Sequence, residues 1–217
     1  MNRPRRRAAR PIADLEVEPE KRRAILHAAV RVFADRGYHG CRIADVARQA
    51  GVAYGLVYHY FRNKDELLES VFAEQWTIFI RAIEAIRAGP GTAAEQLAAV
   101  CRFALDVFRT APQAVRVLIL EVARTPNQLR AGSTRQTFEA ALRLLADMVR
   151  RGQEAGELRR DVDPVIGAAS VLGALELNLT AMVVGLMGGA ARSEDDLERV
   201  KRQVVDSALG GLLAAPG

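Results

Sequence analysis

Cysteine, histidine and aromatic residues are all scarce in this 217-residue chain, and each shortage closes off a class of function. The two cysteines, Cys41 and Cys101, stand far apart with no CxxC spacing, so neither a zinc site nor a disulfide framework is indicated. Such sparing use fits a reducing cytoplasm, the expected location. The three histidines, His27, His39 and His59, have no metal-ligand spacing and all fall in the first third of the chain. No Ser-His-Asp pattern or phosphate loop accompanies them, so no catalytic residue, metal or cofactor is assigned and the chain is not read as an enzyme. Runs of alternating β-branched residues between hairpin turns are missing too, which argues against sheet. The arginine-rich start has no apolar stretch behind it, so no signal peptide is expected. The apolar run Val165 to Met187 is long enough to cross about 30 Å of hydrocarbon. Glu176 and Asn178 near its centre, several glycines and no flanking aromatic belt favour a buried core helix over a membrane span.

What the chain does hold is aliphatic and helix-forming. Half of it is hydrophobic, enough to bury a substantial core. Rich in Leu, Ala, Val, Ile, Arg and Glu, it reads as all-α with about nine helices. The net charge of +5 conceals a division: residues 1–64 carry 14 Lys and Arg against 6 Asp and Glu, whereas residues 65–217 carry 17 against 20. A phosphate-binding surface has to be local, and the basic excess is confined to the first segment.

That segment contains Ile43 to Lys64, IADVARQAGVAYGLVYHYFRNK. Ile43, Val46, Ala47 and Ala50 recur at helical spacing, Gly51 ends the helix, and Leu56 to Phe61 begins a second short helix. Helix, glycine turn, helix is the layout that places a second helix in the DNA major groove. Val57 and Phe61 face inward with Val46 and Ala47, while Tyr54, Gly55 and Leu56 lead the second helix toward base edges. Leu56 offers only apolar contact, for example to a thymine methyl, and Gly55 allows close backbone approach. Tyr58, His59 and Tyr60 carry donors for phosphate oxygens, and Lys64 begins the next helix, where its charge and the free amides meet the same phosphate. Arg42, just ahead of the first helix, is placed to hold a phosphate or reach a guanine.

Gly37-Tyr38, Ile43-Ala44-Asp45-Val46-Ala47, Gly51-Val52 and Tyr58-His59-Tyr60-Phe61 with Lys64 and Leu67 together resemble the amino-terminal signature of the TetR/AcrR family of transcriptional regulators. The likeness covers about residues 20 to 68. It implies a three-helix helix-turn-helix domain joined to a larger helical domain for ligand binding and dimerisation, in which the last two helices pair with their copies in a four-helix bundle. Family members usually place Ser or Thr near positions 41 and 42 as a helix cap. Cys41 and Arg42 stand there instead, a departure worth about 1 kcal/mol.

The division expected is a basic disordered arm at 1–18, a DNA-binding domain at 19–64 and a helical domain at 65–217. The arm either lies in an adjacent minor groove or is a solvated tail. Helix one is expected from near Pro19 to Arg36, stopped by Gly37. Asp65 opens a long helix carrying Leu68, Phe72, Trp76, Phe79, Ile83 and Ile86, which Gly89-Pro90-Gly91 ends. Thr92 with Glu95, Asp163 with Pro164, and Ser193 signal three further helix starts. Pro112 opens another helix, closed by Thr125-Pro126, and one more carries Phe138, Leu142, Leu145 and Val149. Gly167, Ala168, Ser170, Gly173 and Ala174 keep the penultimate helix slim, as a dimer seam requires.

These readings combine into a homodimeric regulator, expected to repress, that binds a palindromic double-stranded DNA operator and is released by a small lipophilic effector. Candidate effector contacts are Trp76, Phe79, Phe103, Val107, Phe108, Leu118, Phe138 and Met148, with Glu176 or Asn178 as polar anchors. Periodic apolar residues are core by default, so ordinary packing competes with that role for each. The alternative is an architectural or non-specific DNA-binding protein without an effector.

Overall fold

The computed structural model describes the backbone of residues 12–122, 133–187 and 193–214. Nine helices occupy these residues: α1 (Ile12–Gly40), α2 (Ile43–Ala50), α3 (Tyr54–Tyr60), α4 (Lys64–Ala88), α5 (Ala93–Thr110), α6 (Pro112–Val122), α7 (Ser133–Glu154), α8 (Pro164–Val183) and α9 (Glu194–Gly210). No strand appears among them, apart from a single bridge between Leu158 and Leu213.

They divide into two compact units, residues 1–71 and 72–217. The division falls inside α4 rather than at its start, because Leu67, Leu68 and Val71 are fully buried and pack as part of the first unit. In that unit α1 packs on α2 and α2 on α3. Ile25, Leu26, Ala29, Phe33, Val46, Val57 and Phe61 form its core, each within 1% of complete burial.

Helix α1 begins at Ile12, not near Pro19, and Pro19 lies within it. Residues 12–18, expected to belong to the arm, are described as part of this helix, while residues 1–11 lie outside the described chain. A proline has no amide hydrogen, so at Pro19, the eighth residue of α1, the helix forgoes the bond to the carbonyl four residues back. The break at Gly37 is as expected: its φ of 70° departs from the helix, and a glycine adopts that angle without strain.

In the second unit α5 lies centrally, packing on α6, α7, α8 and α9. Its entry is a full capping box, with Glu95 N–H on Thr92 Oγ1 at 3.1 Å and Thr92 N–H on Glu95 Oε2 at 2.8 Å. Asp163 caps α8 by accepting from Val165 and Ile166 at 2.8 and 3.1 Å, and Ser193 caps α9 through the Asp196 amide. The proposed closure of α6 at Thr125-Pro126 lies outside the described residues. Buried Gln153 holds the turn before α8 by donating to Arg159 O and Val162 O, both at 2.7 Å. Arg159 N–H to Leu212 O (2.9 Å) and Ala214 N–H to Glu157 O (3.1 Å) stitch the same turn to the last described residues.

Helix α8 corrects the expectation of a buried core helix. It is the one helix among the described residues long and apolar enough to span a membrane, yet only 28% of its apolar stretch is buried. Gly167, Ala168, Val171, Leu172, Leu175 and Met182 enter the core. Its other face leaves Ile166 63% and Leu177 71% exposed, with nothing within 4 Å of the position a side chain would take at Gly173. Apolar residues nearly all round this helix thus serve two surfaces, one inside the chain and one outside it.

Candidate nucleic-acid interface

Helix α2 is short, and its ends are fixed by local chemistry. Arg42 is its N-cap, and because a guanidinium cannot accept a hydrogen bond, only half of a capping box forms: Asp45 Oδ2 accepts the Arg42 amide at 3.0 Å. Asp45 also pairs with Arg36 at 2.9 Å and with Arg48. The Arg42 amide first, then these guanidiniums, hold its carboxyl below the usual carboxylate range. The missing hydroxyl cap is thus partly offset by the residue three positions on. Cys41 is buried, with its thiol donating to Tyr38 O at 3.4 Å.

At the other end Gly51 is left-handed (φ 66°, ψ 31°), and its amide and that of Val52 close the last carbonyls of α2 at Arg48 and Ala47, 3.2 and 3.0 Å away. Nothing lies near a Cβ added at Gly51, so the need for glycine there is purely one of backbone angle. The turn leads directly into α3, which starts at Tyr54, two residues earlier than its apolar run suggests.

Buried Val57 fixes which face of α3 turns out. Tyr54, Gly55, Tyr58 and His59 are exposed and Leu56 and Tyr60 half-buried, so every residue of α3 expected to meet DNA is at least partly accessible. Tyr54 and Tyr58 form a pair, with rings edge-on at 5.2 Å and the Tyr54 hydroxyl donating to that of Tyr58 at 3.2 Å. The hydrogen bond shared by the two hydroxyls holds that of Tyr58 above the ordinary phenol value. The His59 and Tyr60 rings meet edge-on at 5.1 Å. Gly55 has open space around it.

Lys64, expected at a phosphate, also makes contacts inside the protein. Its ammonium donates to Tyr38 O at 2.6 Å and to Cys41 O at 3.0 Å, and sits 4.3 Å from the centre of the Tyr38 ring. Two of its three protons are therefore committed inside the protein. Sequence reasoning gave Tyr38 no function; 26 residues separate it from Lys64, and no local signal joins them.

In the second unit, four of the candidate effector contacts come together. Trp76 meets Phe79 at 5.7 Å and Phe138 at 5.8 Å, both edge-on, and Phe79 stacks on Phe103 at 6.3 Å. Val107, Phe108 and Leu118 are half-buried. Met148 is fully buried in the core, Glu176 is exposed, and Asn178 spends its amide on Ala174 O at 2.7 Å within its own helix. Neither polar anchor is thus placed as expected: at this pitch Glu176 falls on the outer face of α8. The sequence also hid two buried polar groups. Glu74 Oε2 is buried with no hydrogen-bond partner among the described residues. Lys201, 5% exposed, pairs with Asp106 and Glu198; burial alone would lower its ammonium, but these carboxylates hold it above its usual value. No cluster of His, Cys, Asp and Glu among the described residues suits a metal.

Comparison with known proteins bears on both units. A sequence profile for "Bacterial regulatory proteins, tetR family" matches residues 25–71, and one for "Tetracyclin repressor-like, C-terminal domain" matches residues 94–207. The fatty acid metabolism regulator protein of Bacillus subtilis is 30% identical over 160 residues, 74% of this chain and 82% of that protein. The crystal structure of FadR from Bacillus subtilis in complex with stearoyl-CoA superposes with a TM-score of 0.76 at 28% identity, covering 87% of this chain and 98% of the other. That of the fatty acid degradation regulator FadR from Bacillus halodurans gives 0.78 at 26% identity, covering 88% and 95%. With a glycine-turned helix pair that exposes a tyrosine-rich face, and likeness that runs through both units, the chain belongs to the TetR family of bacterial transcriptional regulators.

Proposed function

We propose that this protein is a cytoplasmic homodimeric repressor that holds a palindromic operator and lets it go when it binds a long-chain fatty acyl-CoA. The observation that carries the reading is likeness across nearly the whole chain to fatty-acid regulators, one of them seen with stearoyl-CoA. Within the chain, the connected rings of Trp76, Phe79, Phe103 and Phe138 offer an apolar surface suited to an acyl chain. On DNA, Tyr54, Gly55 and Leu56 face base edges, while Arg42, Tyr58, His59 and Tyr60 meet phosphates. Two such readers have to be held about 34–36 Å apart to match successive major grooves. The exposed apolar stripe of α8, with Ile166, Ser170, Gly173 and Leu177 at helical spacing, supports pairing through α8 and α9.

Effector action follows from linkage: a ligand that binds the DNA-incompetent state better lowers operator affinity by that same preference. The test is fluorescence anisotropy on a palindromic duplex selected from random DNA with this protein. Stearoyl-CoA is expected to release the duplex, whereas free coenzyme A is not. Stearoyl-CoA at about 100 times its Kd is also expected to stabilise the fold by about 2.7 kcal/mol. Unchanged DNA binding and unchanged melting with stearoyl-CoA would remove the effector assignment. A non-specific architectural binder is not favoured, because it would leave the similarity of the second unit to ligand-responsive regulators without a purpose.

A further inference from the structure

Lys64 stands at the first position of α4, where a cation opposes the positive end of the helix dipole. Helix α4 does not need it as a cap, since Asn63 Oδ1 already accepts the Glu66 amide at 2.8 Å and the acidic Asp65 and Glu66 follow. Something else must hold the charge there. The α1–α2 connection does so from three sides: the carbonyls of Tyr38 and Cys41 accept its protons, and the face of the Tyr38 ring lies beneath it. The Tyr38 hydroxyl completes the tie by donating to Asp65, the next residue of α4. Burial and that carboxylate push the Tyr38 hydroxyl well above the ordinary phenol range, so the donor persists at any physiological pH. Cys41 directly precedes Arg42, the residue from which α2 starts. A shift of the Lys64 ammonium is therefore delivered to the entry of the helix pair that reads DNA.

We propose that Lys64 is a positioning residue, which clamps the α1–α2 connection to the start of α4 and so sets α2 and α3 for operator reading, and that its charge is not spent on a phosphate. The two roles differ in salt dependence. A phosphate contact adds about 0.9 to the slope of log K against log salt, per subunit, whereas a clamp within the protein adds nothing. Binding of Lys64→Met and Lys64→Arg proteins is measured on the selected palindrome and on a mixed-sequence duplex across a salt series. The clamp requires about a tenfold loss on the palindrome in both variants, a smaller loss on mixed sequence, and an unaltered slope. Arginine fails to rescue because its planar fork does not reproduce a compact ammonium between two carbonyls and a ring. A shallower slope in Lys64→Met, or full operator affinity in Lys64→Arg, overturns the proposal.

A readout without DNA keeps the question open to decision should Lys64→Met fold poorly or no palindrome be recovered. The Asp45 and Val46 amides bond to Arg42 O at 2.9 and 3.4 Å. In Lys64→Arg both are expected to exchange their hydrogens several-fold faster than in the parent protein. Unchanged exchange there overturns the clamp, independently of whether stearoyl-CoA proves to be an effector.

Discussion

Replacing Leu177 with lysine tests the outer face of α8 without touching the interior of the subunit. In one chain Leu177 is 71% exposed, so the substitution leaves the subunit fold within about 0.5 kcal/mol of its original stability. If α8 pairs with its copy, a two-fold axis brings both leucines into the seam. Burying one leucine is worth about 1.5–3 kcal/mol, so losing two costs about 3–6 kcal/mol before the burden of two ammonium groups without counter-charges is added. At about 1.4 kcal/mol per factor of ten, the dimer Kd rises at least a hundredfold. Sedimentation equilibrium at several loading concentrations reads that shift directly, and circular dichroism confirms that the helices persist. Operator affinity falls with it, since one subunit meets only a half-site. A variant that dimerises as tightly as the parent would refute the reasoning, as would one that loses its helices, because then Leu177 is not an outward residue.

Three further outcomes follow from the local geometry. Gly51→Ala places a side chain at φ 66° with free space around it, so it loses about 1–2 kcal/mol to backbone strain alone, measured by urea unfolding. The Asp45 carboxyl is held low when folded, so its contribution is present above the ordinary carboxylate value of about 3.9 and disappears as pH falls through the folded value. Asp45→Asn is expected to flatten the acid limb of a melting-temperature profile, and an unchanged limb would show that other carboxylates govern it. Glu74→Gln replaces a buried, unpartnered carboxylate oxygen by a neutral amide and is expected to raise stability by about 1 kcal/mol; a fall in denaturation midpoint would reveal a partner for the charged form.

Signals that act over three or four residues were legible in the sequence. Thr92 with Glu95, Asp163 and Ser193 each cap the helix their spacing announces, and Gly37 and Gly51 break the chain where a left-handed residue is needed. Inward Val46, Val57 and Phe61 follow from periodicity in the same way, and they oblige the tyrosines between them to face out. What could not be read depends on distant partners. Nothing near Lys64 announces that Tyr38 will take its charge, and nothing near Glu74 announces burial. Apolar periodicity tells that a face must be covered but not by which chain, which is why α8 reads as core while much of it lies in the open. Pro19 misled for the opposite reason: a strong local breaker removes one bond of a 29-residue helix without ending it.

The stitch between Leu158 and Leu213 carries a practical corollary for anyone labelling this protein. A fluorophore attached at Ala214 would sit beside the bend that launches α8, because the Arg159–Leu212 and Glu157–Ala214 bonds pin the last described residues to that bend. Such a reporter would register any rotation of α8.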